Sequence, residues 1–184
     1  GLLKANHLIE QDCVHYDGSV KIDNGDFLQG SPLCNYLVSK LKSSLPLTSI
    51  YNRLGFDFGT VGNHEFNYDL PYLKQAINQL HYPVLCANII ENTQPFTGQG
   101  IHYFKVNGLT IGTIGLTTQY IPHWEQPDYI KTLTFNSAFH TLKSELPTLR
   151  EKSDIVVVSY HGGFERDLDS GIPTEALTGE NEGY

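Results

Sequence analysis

The sequence predicts an α/β layered domain, and three observations lead there. Short apolar, β-prone runs alternate with segments of helical period. The runs are bounded by Gly, Asn, Asp and Pro, the residues that punctuate turns. The residues best able to do chemistry fall directly after the runs, where open α/β sheets keep their sites. At 184 residues with 40% hydrophobic content, the chain is long enough for one domain with its own core. No repeat or linker-like tract divides it.

Residues 20–23 read as a short strand, ended by the turn residues Asn24, Gly25 and Asp26. Pro32 suits the first turn of a helix over 32–43, since its missing N–H costs nothing there. A second helical stretch follows Pro46 to residue 54, and 56–61 is extended, stopping at Gly62. Leu70, Leu73, Ala76, Ile77 and Leu80 recur at helical spacing, with Asp69 as N-cap and Pro71 near the start. Residues 83–87 form a buried strand ending at Asn88. Asn107-Gly108 between 103–106 and 109–114 is the strongest hairpin signal in the chain. Phe135, Ala138, Phe139, Leu142 and Leu146 mark one face of a helix that Pro147 is expected to end or kink. The run Ile155, Val156, Val157, Val158 within 154–159 predicts a strand buried on both faces.

Charge and composition exclude some functions. Lys and Arg number 12 against 20 Asp and Glu, a formal charge of −8, which argues against binding a nucleic acid polymer. A protein this acidic that handles anionic substrates needs a local positive charge, for which bound metal ions are the obvious source. Cys13, Cys34 and Cys86 are odd in number and far apart, so they read as small buried hydrophobes and not as a disulfide or zinc framework. No run approaches the roughly 18 apolar residues of a membrane span, and no charged-then-apolar leader opens the chain.

Three runs carry the chemistry: Asp26 in 23–30, Asn63 and His64 in Gly62-Asn63-His64-Glu65, and His161 in Ser159-Tyr160-His161-Gly162-Gly163. Each follows the carboxyl end of an expected strand, with Gly25, Gly62 and Gly162 allowing sharp turns. A carboxylate can bridge two divalent cations, an amide oxygen is a neutral hard ligand, and imidazole suits zinc, manganese or iron. Asp26, Asn63 and His161 therefore make a metal set, with His64 beside it to protonate a leaving oxygen or stabilise its charge. Taken singly, Asp26 is most often a turn former, Asn63 and His64 are more often loop residues satisfying backbone groups, and His161 is as ambiguous. Their convergence in chain order favours a site. His7, His15, His81, His102, His123 and His140 lack that context and read as non-ligands; Glu65 reads as a cap or anchor of its loop.

The runs DNGDFLQGSP (23–32), GNHEFNY (62–68), CANI (86–89) and YHGG (160–163) resemble the calcineurin-like metallophosphatase domain of the 5'-nucleotidase family. Within it, they look most like bacterial 2',3'-cyclic-nucleotide 2'-phosphodiesterase/3'-nucleotidases. The resemblance implies a layered metallophosphatase fold with β-sheets flanked by helices. It also implies a two-metal phosphoesterase that opens 2',3'-cyclic nucleotides and removes the 3'-phosphate. Asp26 matches the metal-bridging aspartate, Asn63 and His161 match ligands of one metal, and His64 matches the catalytic histidine. The implied cofactors are two divalent ions in the full-length enzyme, and the implied setting is extracellular, wall-anchored or periplasmic. Rival readings are a 5'-nucleotidase or nucleotide-sugar hydrolase of the same family, and a non-catalytic ligand-binding module.

Two departures from the family pattern shape further expectations. Where many 5'-nucleotidases support the histidine with an aspartate three residues on, this chain has Asn67, so a His–Asp dyad is not expected. The Asp-x-His and Gly-His-x-His motifs of the family are not matched. Residues 1–184 are therefore read as an incomplete domain lacking the first strand and the last part, with the separate nucleoside-binding C-terminal domain belonging to the parent protein. On that reading one metal keeps Asp26, Asn63 and His161, the other keeps Asp26 alone, and the isolated chain hydrolyses slowly or not at all.

Overall fold

A computed structural model describes residues 1–184. In chain order its elements are α1 (Leu2–Cys13), β1 (Ile22–Asp23), α2 (Pro32–Tyr36), α3 (Leu45–Leu54), β2 (Phe58–Thr60), α4 (Leu70–Gln79) and β3 (Val84–Leu85). There follow β4 (Ile89–Glu91), β5 (Gln94–Pro95), β6 (Ile101–Val106), β7 (Leu109–Thr117), α5 (Pro127–Ile130), β8 (Leu133–Phe135), α6 (Ala138–Lys152) and β9 (Ile155–His161). Three small sheets result. β1-β2-β3 is parallel, β5-β4-β8 is antiparallel, and β6-β7-β9 is mixed, with β7 antiparallel to β6 and parallel to β9. The first and third sheets adjoin where the Gly115 carbonyl of β7 accepts from the Ala87 N–H at 2.7 Å, just after β3.

The expected α/β layering is present, and several elements match their sequence signals closely. Asp69 caps α4, its carboxylate accepting the Tyr72 N–H at 2.9 Å, and Leu73 and Ala76 are wholly buried. Asn107 and Gly108 both adopt positive φ, 48° and 84°, as a two-residue hairpin turn requires. The main core gathers Phe27, Leu37, Val61, Phe66, Leu73 and Ile89 between the first two sheets and the helices. A smaller cluster holds Ile114, Leu116, Ala138 and Leu149 between β7 and α6.

Other expectations need correction. The helix expected over 32–43 is regular only through Tyr36; Leu37–Leu41 is a π-helical turn that ends at Lys42 with φ 50°. Pro147 neither ends nor interrupts α6, which runs on to Lys152 because Leu149 is fully buried against β7 and holds the last turn in place. Phe135 belongs to β8 and Phe139 is exposed, so the true inner face of α6 is Ala138, Leu142 and Leu149. β9 is not buried on both faces: it lies at the edge of its sheet, and Ile155 and Val158 are exposed. An edge strand has one neighbour instead of two, so an apolar run alone does not specify a central position. Cys34 and Cys86 are buried as expected, whereas Cys13, on a helix with no buried residue, is only half-buried.

Candidate active site

The β1 loop carries Asp26, the β2 loop Asn63 and His64, and β9 ends on His161 itself. Asn24 ties the first of these to the last. Its side chain donates to the Tyr160 carbonyl at 3.2 Å and accepts from the Ser159 hydroxyl at 2.7 Å, and its own carbonyl meets Nδ1 of His161 at 2.5 Å. A carbonyl can only accept, so Nδ1 of His161 carries a proton and Nε2 is directed at Asp26 Oδ2, 3.2 Å away. Asp26 Oδ1 meanwhile accepts the His64 backbone N–H at 2.9 Å. Asn63 and His161 line one cavity of about 410 Å³ with Asn24, Thr118, Trp124 and Asn181. Asp26 does not line that cavity but borders a separate, larger and mostly apolar one of about 730 Å³ against α1 and α3.

Asp26 sits at φ 64°, a left-handed conformation that aspartate tolerates better than most residues but that costs energy. Glu65 holds it there. Buried completely, Glu65 accepts the Asp26 N–H at 2.7 Å and the Gly62 N–H at 2.6 Å through Oε2, and the Leu28 N–H at 3.1 Å through Oε1. The expected loop anchor is thus a clamp across two βα loops. Burial pushes its carboxyl above the usual range, against the pull of the three N–H donors. Gly62 serves for room, not for a turn: a Cβ there would lie 2.2 Å from Asp26 Oδ1 and 2.7 Å from His161 Cε1. Gly25 meets both demands, with φ 87° and a Cβ position 2.3 Å from the Gly62 nitrogen.

The charges fit a cation. Burial opposes ionisation of Asp26, but hydrogen bonds from His161 and the His64 N–H outweigh it and leave its pKa lowered. Burial likewise works against an imidazolium at His161, yet the Asp26 carboxylate and the Asn24 carbonyl raise its pKa. A neutral imidazole Nε2 and a carboxylate oxygen are both lone-pair donors, and at 3.2 Å they require a positive centre between or upon them. Divalent zinc forms bonds of about 2.0–2.2 Å to each donor type, which spans such a gap. Nδ1–H bonded to a backbone carbonyl is also the usual support of a metal-binding histidine. This donor pair therefore fits one divalent ion. No group of three or more His, Cys, Asp or Glu side chains gathers anywhere in the chain.

Asn67, the residue three positions after His64 that the family pattern points to, stands behind its imidazole. Nδ1 of His64 meets Oδ1 of Asn67 at 2.6 Å, and Nδ2 of Asn67 donates to Oε1 of Glu125 at 2.5 Å. A carboxylate does stand behind the imidazole, one residue further away. Glu125 lies 58 positions from Asn67 in the chain, and no local pattern marks it. Asn24 was legible only as a turn former, because its three contacts lie on a strand more than 130 residues away.

No family model matches the chain. A Salmonella typhimurium protein named 2',3'-cyclic-nucleotide 2'-phosphodiesterase/3'-nucleotidase is 36% identical over 181 residues, covering 91% of this chain and 28% of its own length. Among solved structures, a Staphylococcus aureus protein described as a putative 5'-nucleotidase, in complex with α-ketoglutarate, is 65% identical with a TM-score of 0.97. It covers all of this chain and 36% of its own. The calcineurin-like phosphoesterase YfkN of Bacillus subtilis is 25% identical with a TM-score of 0.82, over 96% of this chain and 58% of its own. The chain thus spans just over a quarter of the length of the curated relatives it matches first. With the fold, the motifs and these likenesses in agreement, the 184 residues belong to the calcineurin-like metallophosphatase domain of the 5'-nucleotidase family.

Proposed function

We propose that the protein carrying these residues is a metal-dependent phosphoesterase of nucleotides that opens 2',3'-cyclic nucleotides and removes the resulting 3'-phosphate. The observation that carries the phosphoesterase reading is the contact of Asp26 with both His161 and the backbone N–H of His64, a donor pair that fits a cation. The substrate class follows the names of the Salmonella typhimurium, Yersinia enterocolitica and Haemophilus influenzae relatives. Asp26, Asn63 and His161 hold the ion. When bound, a divalent metal acidifies a water and draws off charge from the phosphoryl oxygens. Asn24 keeps the proton of His161 on Nδ1 and so leaves Nε2 free as a ligand. His64, with Nδ1 engaged by Asn67, presents Nε2 as the atom that gives a proton to the leaving oxygen.

A 5'-nucleotidase is the second reading, favoured by the 65% identity to the Staphylococcus aureus protein. The full-length protein, assayed with 2',3'-cyclic AMP, 3'-AMP and 5'-AMP in the presence of divalent metal, separates the two. Turnover of the first two substrates is expected; turnover of 5'-AMP alone defeats the cyclic-nucleotide reading. We also place the protein outside the cytoplasm, in the wall, the periplasm or the medium, and cell fractionation checks this.

A further inference from the structure

Asn67 is an amide where a carboxylate would be the direct way to support His64. Viewed alone, an asparagine beside an imidazole is ambiguous. It can offer its oxygen to an Nδ1–H, or, rotated by half a turn, its NH2 to a bare Nδ1. The first arrangement leaves Nε2 bare to exchange protons; the second puts the neutral imidazole in the other tautomer. Glu125 removes the ambiguity. It can only accept when ionised, and its Oε1 lies 2.5 Å from the Asn67 amide nitrogen, so the NH2 must face Glu125 and the oxygen must face His64. The Glu125 backbone is itself fixed, its N–H donating to the Ile121 carbonyl at 3.1 Å at the end of a 3-10 turn whose Ile121 is wholly buried.

We propose that Glu125 is a positioning residue for His64, acting through Asn67 to hold one proton on Nδ1, so that the imidazolium passes its Nε2 proton to the leaving oxygen as the bond from that oxygen to phosphorus breaks. The catalytic side of this rests on the phosphoesterase reading above; the tautomer side does not. The three residues come from two segments, the 3-10 turn His64–Asn67 and the stretch after Ile121–His123, so the relay exists only in the folded chain. Burial raises the Glu125 pKa, while the Asn67 amide and the nearby His64 pull it back toward the anion. The relay also accounts for the amide at position 67. With Glu125 in place, an aspartate there would set two carboxylates against each other across a hydrogen-bond distance, and both could not stay ionised.

The test uses the full-length protein labelled with 15N-histidine, and the variants Glu125→Gln, Asn67→Asp and the double variant Asn67→Asp/Glu125→Gln. Long-range 1H–15N correlation, with the His64 signal assigned by its loss in His64→Gln, reads the tautomer at a pH where the ring is neutral. The wild type should show the Nδ1–H form, and Glu125→Gln, whose amide can donate as well as accept, should show a mixture. In kinetics, Glu125→Gln should lower kcat on a 3'-nucleotide on the order of 10-fold, a part of the roughly 10²–10⁴-fold that general acid catalysis supplies. KM should not change. p-Nitrophenyl phosphate, whose leaving group needs no proton, should be cleaved at the wild-type rate. Asn67→Asp should be impaired and the double variant restored, because the direct carboxylate then faces a neutral amide. An unchanged tautomer in Glu125→Gln, equal slowing of both esters, or no rescue in the double variant overturns the proposal. If the wild type cleaves neither ester while the tautomer responds to Glu125→Gln, the phosphoesterase reading fails and the positioning role stands.

Discussion

At the scale of single residues, the site depends on one buried carboxylate that is neither ligand nor acid. Glu65 collects three backbone N–H groups from residues 26, 28 and 62, and all three partners are donors. In Glu65→Gln the amide NH2 must oppose at least one of them, leaving a buried N–H without a partner. That costs about 1–3 kcal/mol. The expected outcome is a lower denaturation midpoint together with weaker divalent-metal binding, because Asp26 is no longer held in its left-handed conformation. Unchanged metal affinity would show that Asp26 keeps its place without the clamp. The adjacency of Asn63, His64 and Glu65 is plain in the sequence, but the division of work among them is not. Asn63 faces the cavity, His64 turns to Asn67, and Glu65 points into the protein, because the 3-10 turn starting at His64 spreads successive side chains around its axis.

Among elements, α4 and β4 are joined by Lys74 and Glu91, whose charged atoms lie 2.5 Å apart. The Lys74 ammonium holds the Glu91 carboxyl below its ordinary pKa, with burial acting the other way and Thr132 helping. A depressed carboxylate stabilises the fold above its unfolded pKa, and that contribution is lost as pH falls through the lower folded value. Lys74→Ala should therefore reduce stability near neutral pH and change nothing once the medium is acid enough to protonate Glu91 in both states. Because the pair is partly solvated, the effect should not exceed about 1 kcal/mol. Urea denaturation of both proteins at neutral pH and in such an acid medium measures it, and an equal loss in the two would mean that packing of the Lys74 stem, not charge, is responsible. Elements with a periodic or turn signature were readable beforehand: α4 from its apolar spacing and Asp69, the β6–β7 hairpin from Asn107-Gly108. The β5-β4-β8 sheet was not, since its strands have two or three residues and β8 meets β4 across more than 40 positions of chain.

For the molecule as a whole, the proposed donor set limits how much metal these 184 residues can hold. On the proposed assignment Asp26, Asn63 and His161 would hold one ion with solvent completing its shell, and no group of three or more acidic, His or Cys side chains exists in the chain. Metal analysis after dialysis of this chain should find at most one divalent ion, removable by a modest excess of chelator. Two tightly held ions per chain would refute the donor assignment. The same analysis on Asp26→Ala or His161→Ala should find none.

The sequence by itself determined the layered α/β class, the family, and the three loops from which chemistry could come, because these rest on local spacing and on motifs each contained within a few residues. Tertiary structure decided which atoms meet. The closure of Asn24 onto β9, the clamp of Glu65 across two loops and the carboxylate of Glu125 behind Asn67 join residues from 37 to 137 positions apart. Their partners are chosen by sheet order and loop packing, which no short stretch of sequence encodes. The motif around Asn63 and His64 was therefore visible in the sequence, while the partner that orients its histidine is decided only by the folded chain.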